Sequence, residues 1–293
     1  MIRAKQTSFK SLFVFFLLAC VLSTAQSQTP LSRDEALKQL YYKYDATNAT
    51  AQWVCTKDQI QPQDRAGWPC RNEDATVAIS VLLMAEVDEG NEIFLVTSAV
   101  PANDPSGYDC HACAPAIGAA VFSWKEDHWL MQSANTATGF YGGLGHPPDV
   151  DFVTIGPYKH GLMLSLDDDG GGFASSGKAL LAPIDKTVRE IWSLPVEEDD
   201  YGAYDPTDSY AEHVRYRSSV GINFIANDES SINEDTYKNS YYDIEAISRG
   251  KKLSARNRLK DENWTDIYRF SNGKYRRVRH RVFSEIRRST KSH

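Results

Sequence analysis

The stretch Asp109-Cys110-His111-Ala112-Cys113-Ala114-Pro115 is the most unusual in the 293-residue chain. A C-x-x-C pair can cycle between dithiol and disulfide, and an intervening His111 can hold Cys110 as the reactive thiolate. That chemistry would make the protein a periplasmic thiol–disulfide oxidoreductase acting through Cys110, Cys113 and His111. Enzymes of that kind lead a strand into the motif and a helix out of it. Here an irregular run from Pro101 to Asp109 leads in, and the strand-like Gly118-Ala119-Ala120-Val121-Phe122 leads out. A structural disulfide is the favoured reading, and redox catalysis is the alternative. A zinc site would need Cys110, His111 and Cys113 to recruit His128, His146 or His160, and no second ligand pair with zinc spacing is present. A covalent haem site would need His at position 114, which is Ala.

Two further segments carry ligand-type residues. Asp167, Asp168 and Asp169 precede three glycines, and three carboxylates on a turn are a weak calcium alternative. The alternating ligands and distal Glu of an EF-hand are missing, so a solvated turn between strands is expected. Gly139 to Pro148 is rich in glycine and aromatics. It lacks the lysine and the strand–helix context of a phosphate cradle. On a β scaffold such a loop contacts a sugar or a protein partner, so Phe140, Tyr141 and His146 are the candidate binding residues. Neither G-x-S-x-G nor H-E-x-x-H occurs. The chain therefore reads as a binder more than an enzyme, with no cofactor and no resident metal expected.

The compartment follows from the N-terminus. Arg3, Lys5 and Lys10 precede an apolar run from Leu12 to Leu22, and Ser23-Thr24-Ala25 supplies small residues for cleavage. This is a bacterial-type secretory signal, which implies periplasm or medium. Leu17-Leu18-Ala19-Cys20 resembles a lipobox, so lipid anchoring at Cys20 is the minor alternative, with an envelope lipoprotein or structural component as the matching role. No later segment is long and apolar enough to span a membrane. Removing residues 1–25 leaves 29 basic against 39 acidic residues, a net charge of −10. That balance argues against nucleic acid as a partner. The C-terminal cluster Lys274, Arg276, Arg277, Arg279, Arg281, Arg287, Arg288 and Lys291 is the exception. It reads as a solvated strand and tail, or as a patch for acidic partners or a membrane surface. Cys55, Cys70, Cys110 and Cys113 remain after cleavage, an even set that favours disulfides in an oxidising compartment. Local closure favours Cys55–Cys70 and Cys110–Cys113, although spacing alone leaves the pairing open.

These residues need a scaffold. Ser32 and Glu35 form a capping box, and Ala36, Leu37, Leu40, Tyr41 and Tyr44 follow at helical spacing, which predicts a helix over 32–44. From residue 75 the pattern becomes that of strands: 76–87, 92–100, 117–124, 128–133, 150–156, 160–166, 178–184, 187–194, 213–225 and 241–247. A final hairpin turns at Asn272-Gly273. The cleanest alternation puts Val214, Tyr216, Ser218, Val220, Ile222 and Phe224 on one face. The expected fold is mainly β: an antiparallel sandwich, barrel or partial propeller with one short N-terminal helix. The expected organisation is a signal peptide (1–25), a helix and disulfide-stapled loop (26–74), and a β-rich core (75–195). An acidic loop or linker (196–212) and C-terminal hairpins with a basic tail (213–293) follow. The expected role is that of an exported protein that binds a protein or cell-envelope partner, of the inhibitor or immunity type.

Overall fold

The computed structural model describes residues 28–53, 75–87, 91–103, 113–170, 173–199, 217–226, 233–253 and 259–283. The signal segment, Cys20, Cys55, Cys70, Cys110, His111, residues 200–212 of the acidic segment and the basic residues beyond 283 lie outside the described residues.

The chain is mainly β, as expected. One helix, α1 (Arg33–Leu40), precedes a five-stranded antiparallel sheet. Its strands are β1 (Thr50–Trp53), β2 (Ala75–Val87), β3 (Glu92–Pro101), β4 (Ala116–Lys125) and β5 (His128–Phe140), paired in chain order. The second sheet holds β6 (Asp149–Gly156), β7 (Lys159–Gly170), β8 (Phe173–Ile184), β9 (Thr187–Asp199) and β10 (Arg217–Ile225). A short helix α2 (Glu234–Lys238) then leads to β11 (Asp243–Leu253), β12 (Leu259–Asp261), β13 (Trp264–Ser271) and β14 (Lys274–Val282). Its order is β14-β13-β11-β10-β9-β8-β7-β6, with β12 paired to β11.

Strand alternation explains how the layers stack. In β3, Ile93, Leu95 and Ala99 face α1, where Leu37, Leu40 and Tyr41 cover them. Phe94 and Val96 point the other way, onto Leu162, Leu164, Ala179 and Leu181 of the second sheet. Every residue from Ile93 to Ala99 is therefore buried, which is why β3 reads as a continuous apolar run. The other faces of β7 and β8 (Met163, Leu180, Ala182) join Trp192 of the adjacent β9, and Ile244 and Tyr275, which come from far along the same sheet. That contact requires the second sheet to curl back on itself as a half-barrel. The chain before β11 helps to draw it round, because the Tyr242 N–H donates to the Ile155 carbonyl at 2.8 Å.

Some boundaries differ from the sequence expectation. The capping box is present, with Ser32 Oγ accepting from the Glu35 N–H at 3.2 Å. The helix stops at Leu40 rather than running to residue 44. Tyr41 turns extended (φ −113°, ψ 135°) and sends its hydroxyl inward to Thr97 Oγ1 at 2.6 Å. Gly118 sits opposite, where a Cβ would collide with that hydroxyl, so a close approach rather than a turn requires this glycine. β5 runs on to Phe140, and β7 runs on to Gly170. The expected turn at Asp167 to Asp169 is therefore paired strand, with Asp167 opposite Ser176, Asp168 opposite Ser175 and Asp169 opposite Ala174. β9 likewise takes in the start of the expected acidic loop, up to Asp199. Over β10 the alternation is as read, with Ser218, Val220, Ile222 and Phe224 less exposed than their neighbours, while Val214 and Tyr216 lie outside the described residues.

Candidate binding cleft

The middle of β5 lies against the second sheet, and three hydrogen bonds fix its position. Ser133 Oγ donates to the Asp185 carbonyl at 2.8 Å, the Ala134 N–H to the Lys186 carbonyl at 3.1 Å, and Asn135 Nδ2 to the Val188 carbonyl at 3.2 Å. The chain then leaves β5 at Phe140 and turns through Tyr141 and Gly142. Gly142 has φ +98°, and a Cβ there would run into the His146 carbonyl, so the turn needs glycine.

Between this turn and the upper parts of β7, β8 and β9 lies a cleft of about 590 Å³. Phe140, Tyr141 and Gly142 form one wall. Leu166, Gly177 and Leu194 supply apolar floor, and Asp167, Ser175, Ser176, Lys178, Ser193 and Glu198 supply polar groups. A β-bulge between Ser176 and Gly177 breaks the register with β9 at the same place. Bulges re-aim side chains and are common beside binding sites.

The wall is held rigidly. The Tyr141 hydroxyl donates to Glu190 Oε2 at 2.7 Å, and Ser193 Oγ donates to the other carboxylate oxygen at 2.8 Å. Burial first, and the Glu190 carboxylate second, push the Tyr141 hydroxyl far above its ordinary value. Tyr141 therefore stays a neutral donor and is not a general base. Lys178 Nζ donates to Ser165 Oγ. Phe140 remains 47 % exposed and the nearby Leu144 49 % exposed. The inventory is an aromatic and aliphatic surface beside hydroxyls, one ammonium and carboxylates. Such a set recognises a ligand by shape and hydrogen bonding. No histidine among the described residues lines the cleft.

Two separate sequence features meet here. The Gly145 N–H donates to the Cys113 carbonyl at 2.7 Å, and the Tyr141 N–H donates to the Pro115 carbonyl at 3.2 Å. The end of the C-x-x-C segment thus underpins the aromatic turn. Cys113 is 3 % exposed. Of the candidate binding residues, Phe140 and Tyr141 line the cleft, whereas His146 does not. His146 is exposed in the following turn, its N–H donating to the Gly143 carbonyl at 2.8 Å. Asp167 reaches the cleft rim, and no group of three or more His, Cys, Asp or Glu residues placed to hold a metal ion is found among the described residues.

A second polar cluster escaped the sequence reading. Asp266, 2 % exposed, accepts from Arg277 Nη1 at 3.1 Å, from Tyr268 Oη at 3.3 Å and from His280 Nδ1. Its trace in the sequence is an Asp in the otherwise aromatic alternation Trp264, Asp266, Tyr268, Phe270. Nearby, Arg269 makes a two-pronged contact with Asp243, at 3.1 and 2.8 Å. Arg269, Arg277, Tyr268 and His280 each donate to a carboxylate, so these clusters read as structural ties. No helix among the described residues is long and apolar enough to cross a membrane. No protein-family model, curated protein or solved structure matches the chain.

Proposed function

We propose that the chain is an exported, non-enzymatic binding protein, of the inhibitor or immunity type, that docks a protein or cell-envelope partner at the Phe140–Tyr141 cleft. The observation that carries this reading is an exposed aromatic on a turn clamped by Tyr141 and Glu190, beside a polar-rimmed cleft. A large aromatic held in place loses little entropy on binding, which makes it an effective anchor. The secretory pattern of residues 1–25 supports a periplasmic or secreted location. An oxidising compartment would make the buried Cys113 half of a structural disulfide.

The test is comparative affinity capture from periplasmic or secreted extract, with the wild-type chain and Phe140→Asp side by side. A partner recovered by the wild type and lost by the variant is the expected result. An identical set of captured proteins with both baits would overturn the role of the cleft.

A further inference from the structure

β14 is the edge strand of the half-barrel, and β13 is its only strand partner among the described residues. It carries Lys274, Arg276, Arg277, Arg279 and Arg281 and no acidic residue. Its burial pattern is unlike that of the other described strands: only Tyr275 is buried, and the remaining positions are exposed.

The register decides what these charges do. Arg276 pairs with Arg269 and Arg277 with Tyr268, but Arg279 pairs with Ile267 and Arg281 with Thr265. Val278 is thus the extra residue of a β-bulge. Without it, simple alternation would place Arg279 and Arg281 on the opposite face from Lys274 and Arg276. With it, all four cations share the outer face, while Arg277 and His280 turn inward to Asp266. No ion pair holds any of the four among the described residues, whereas Arg277 and Arg269 are tied to Asp266 and Asp243.

We propose that the outer edge of β14 receives an extended acidic polypeptide segment, which adds to the sheet as a further strand with carboxylates at alternate positions. An edge strand presents a row of backbone N–H and C=O groups for such pairing. A strand added there places every second side chain on the same face as the row of cations, where opposite charges pair across strands. The same charges reject a second copy of β14, because like charges would face one another. An anionic membrane fits less well. A plane meets the acidic body, at net charge −7 for the chain, as well as the strand, whereas a peptide meets the strand alone. This inference is independent of the cleft.

The probe is a fluorescent peptide of alternating Glu and Thr, titrated with the full chain and read by anisotropy. Binding is expected at low salt and should weaken as salt rises. The double variant R279E/R281E, with unchanged circular dichroism, should lose affinity about tenfold or more. A peptide N-methylated at alternate amides should also lose binding, because charge remains while strand pairing is blocked. Absence of binding, or equal binding of the N-methylated peptide, overturns strand addition. Co-sedimentation with phosphatidylserine vesicles by a chain that ignores the peptide would replace it with the membrane reading.

Discussion

The strands β3 and β4 and the hairpin β13–β14 are built from the same pairing rules and end in opposite environments. β3 and β4 lie in the middle of a sheet covered on both faces, by α1 on one side and the second sheet on the other. Seven consecutive residues of β4, Ala116 to Phe122, are buried, and none is charged. β14 lies at an edge, with one buried residue and five Lys or Arg. Stability resides in the first pair because burial of apolar area drives it. The second carries charge on its outer face because only its inner face, through Tyr268, Phe270 and Tyr275, meets the core.

Substitutions in the two regions should differ accordingly. Phe94→Ala should have the largest effect. Phe94 is 1 % exposed and packs edge-on against Phe152 at 5.2 Å. Its truncation should cost about 3–5 kcal/mol in urea unfolding, and a loss below about 1 kcal/mol would mean that the two sheets do not share a tight core. Alkaline pH should act next. Burial raises the hydroxyls of Tyr41 and Tyr275, and burial with Glu190 raises that of Tyr141. Above the ordinary tyrosine value of 10.0 the unfolded chain releases these protons first. Stability is therefore complete below that pH and falls as pH climbs through the raised folded values. A urea midpoint that stays flat across this window would contradict the burial of these rings.

Asp266→Asn should cost about 1–2 kcal/mol, because the carboxylate is buried while Arg277 and His280 can turn to solvent. Ser32→Ala removes the cap of α1 and should cost about 1 kcal/mol. Arg279→Ala should change stability by less than about 0.5 kcal/mol, while still weakening the acidic peptide. A large destabilisation there would make the cation row a structural device rather than a docking one.

Much of the β architecture was legible because its signals are local. Alternation marked β10, and continuous apolar runs marked β3 and β4. Asn272-Gly273 marked the last turn, where both residues adopt positive φ (51° and 76°). What escaped depends on distant partners. β1 has four residues and takes its register from β2. The extension of β5 beyond residue 133 carries Asn135, Thr136 and Thr138 and little apolar signal, and is held by pairing to β4 and by bonds to Lys186 and Val188. The cleft was half legible. Phe140 and Tyr141 stood out as aromatics among glycines, but the facing wall is assembled from β7, β8 and β9 by tertiary packing. The bulge at Val278 left a faint trace, since the cations at 274, 276, 279 and 281 skip a step that strand alternation forbids.

The proposed docking of a partner at the Phe140 turn is open to direct test. The most direct measurement places a photocrosslinking benzoylphenylalanine at Phe140, and at Tyr158 as a control. Tyr158 is 65 % exposed and does not line the cleft. On irradiation in periplasmic or secreted extract, a discrete adduct is predicted from position 140 and none of that mass from position 158. The same adduct from both positions, or from position 158 alone, would contradict the account.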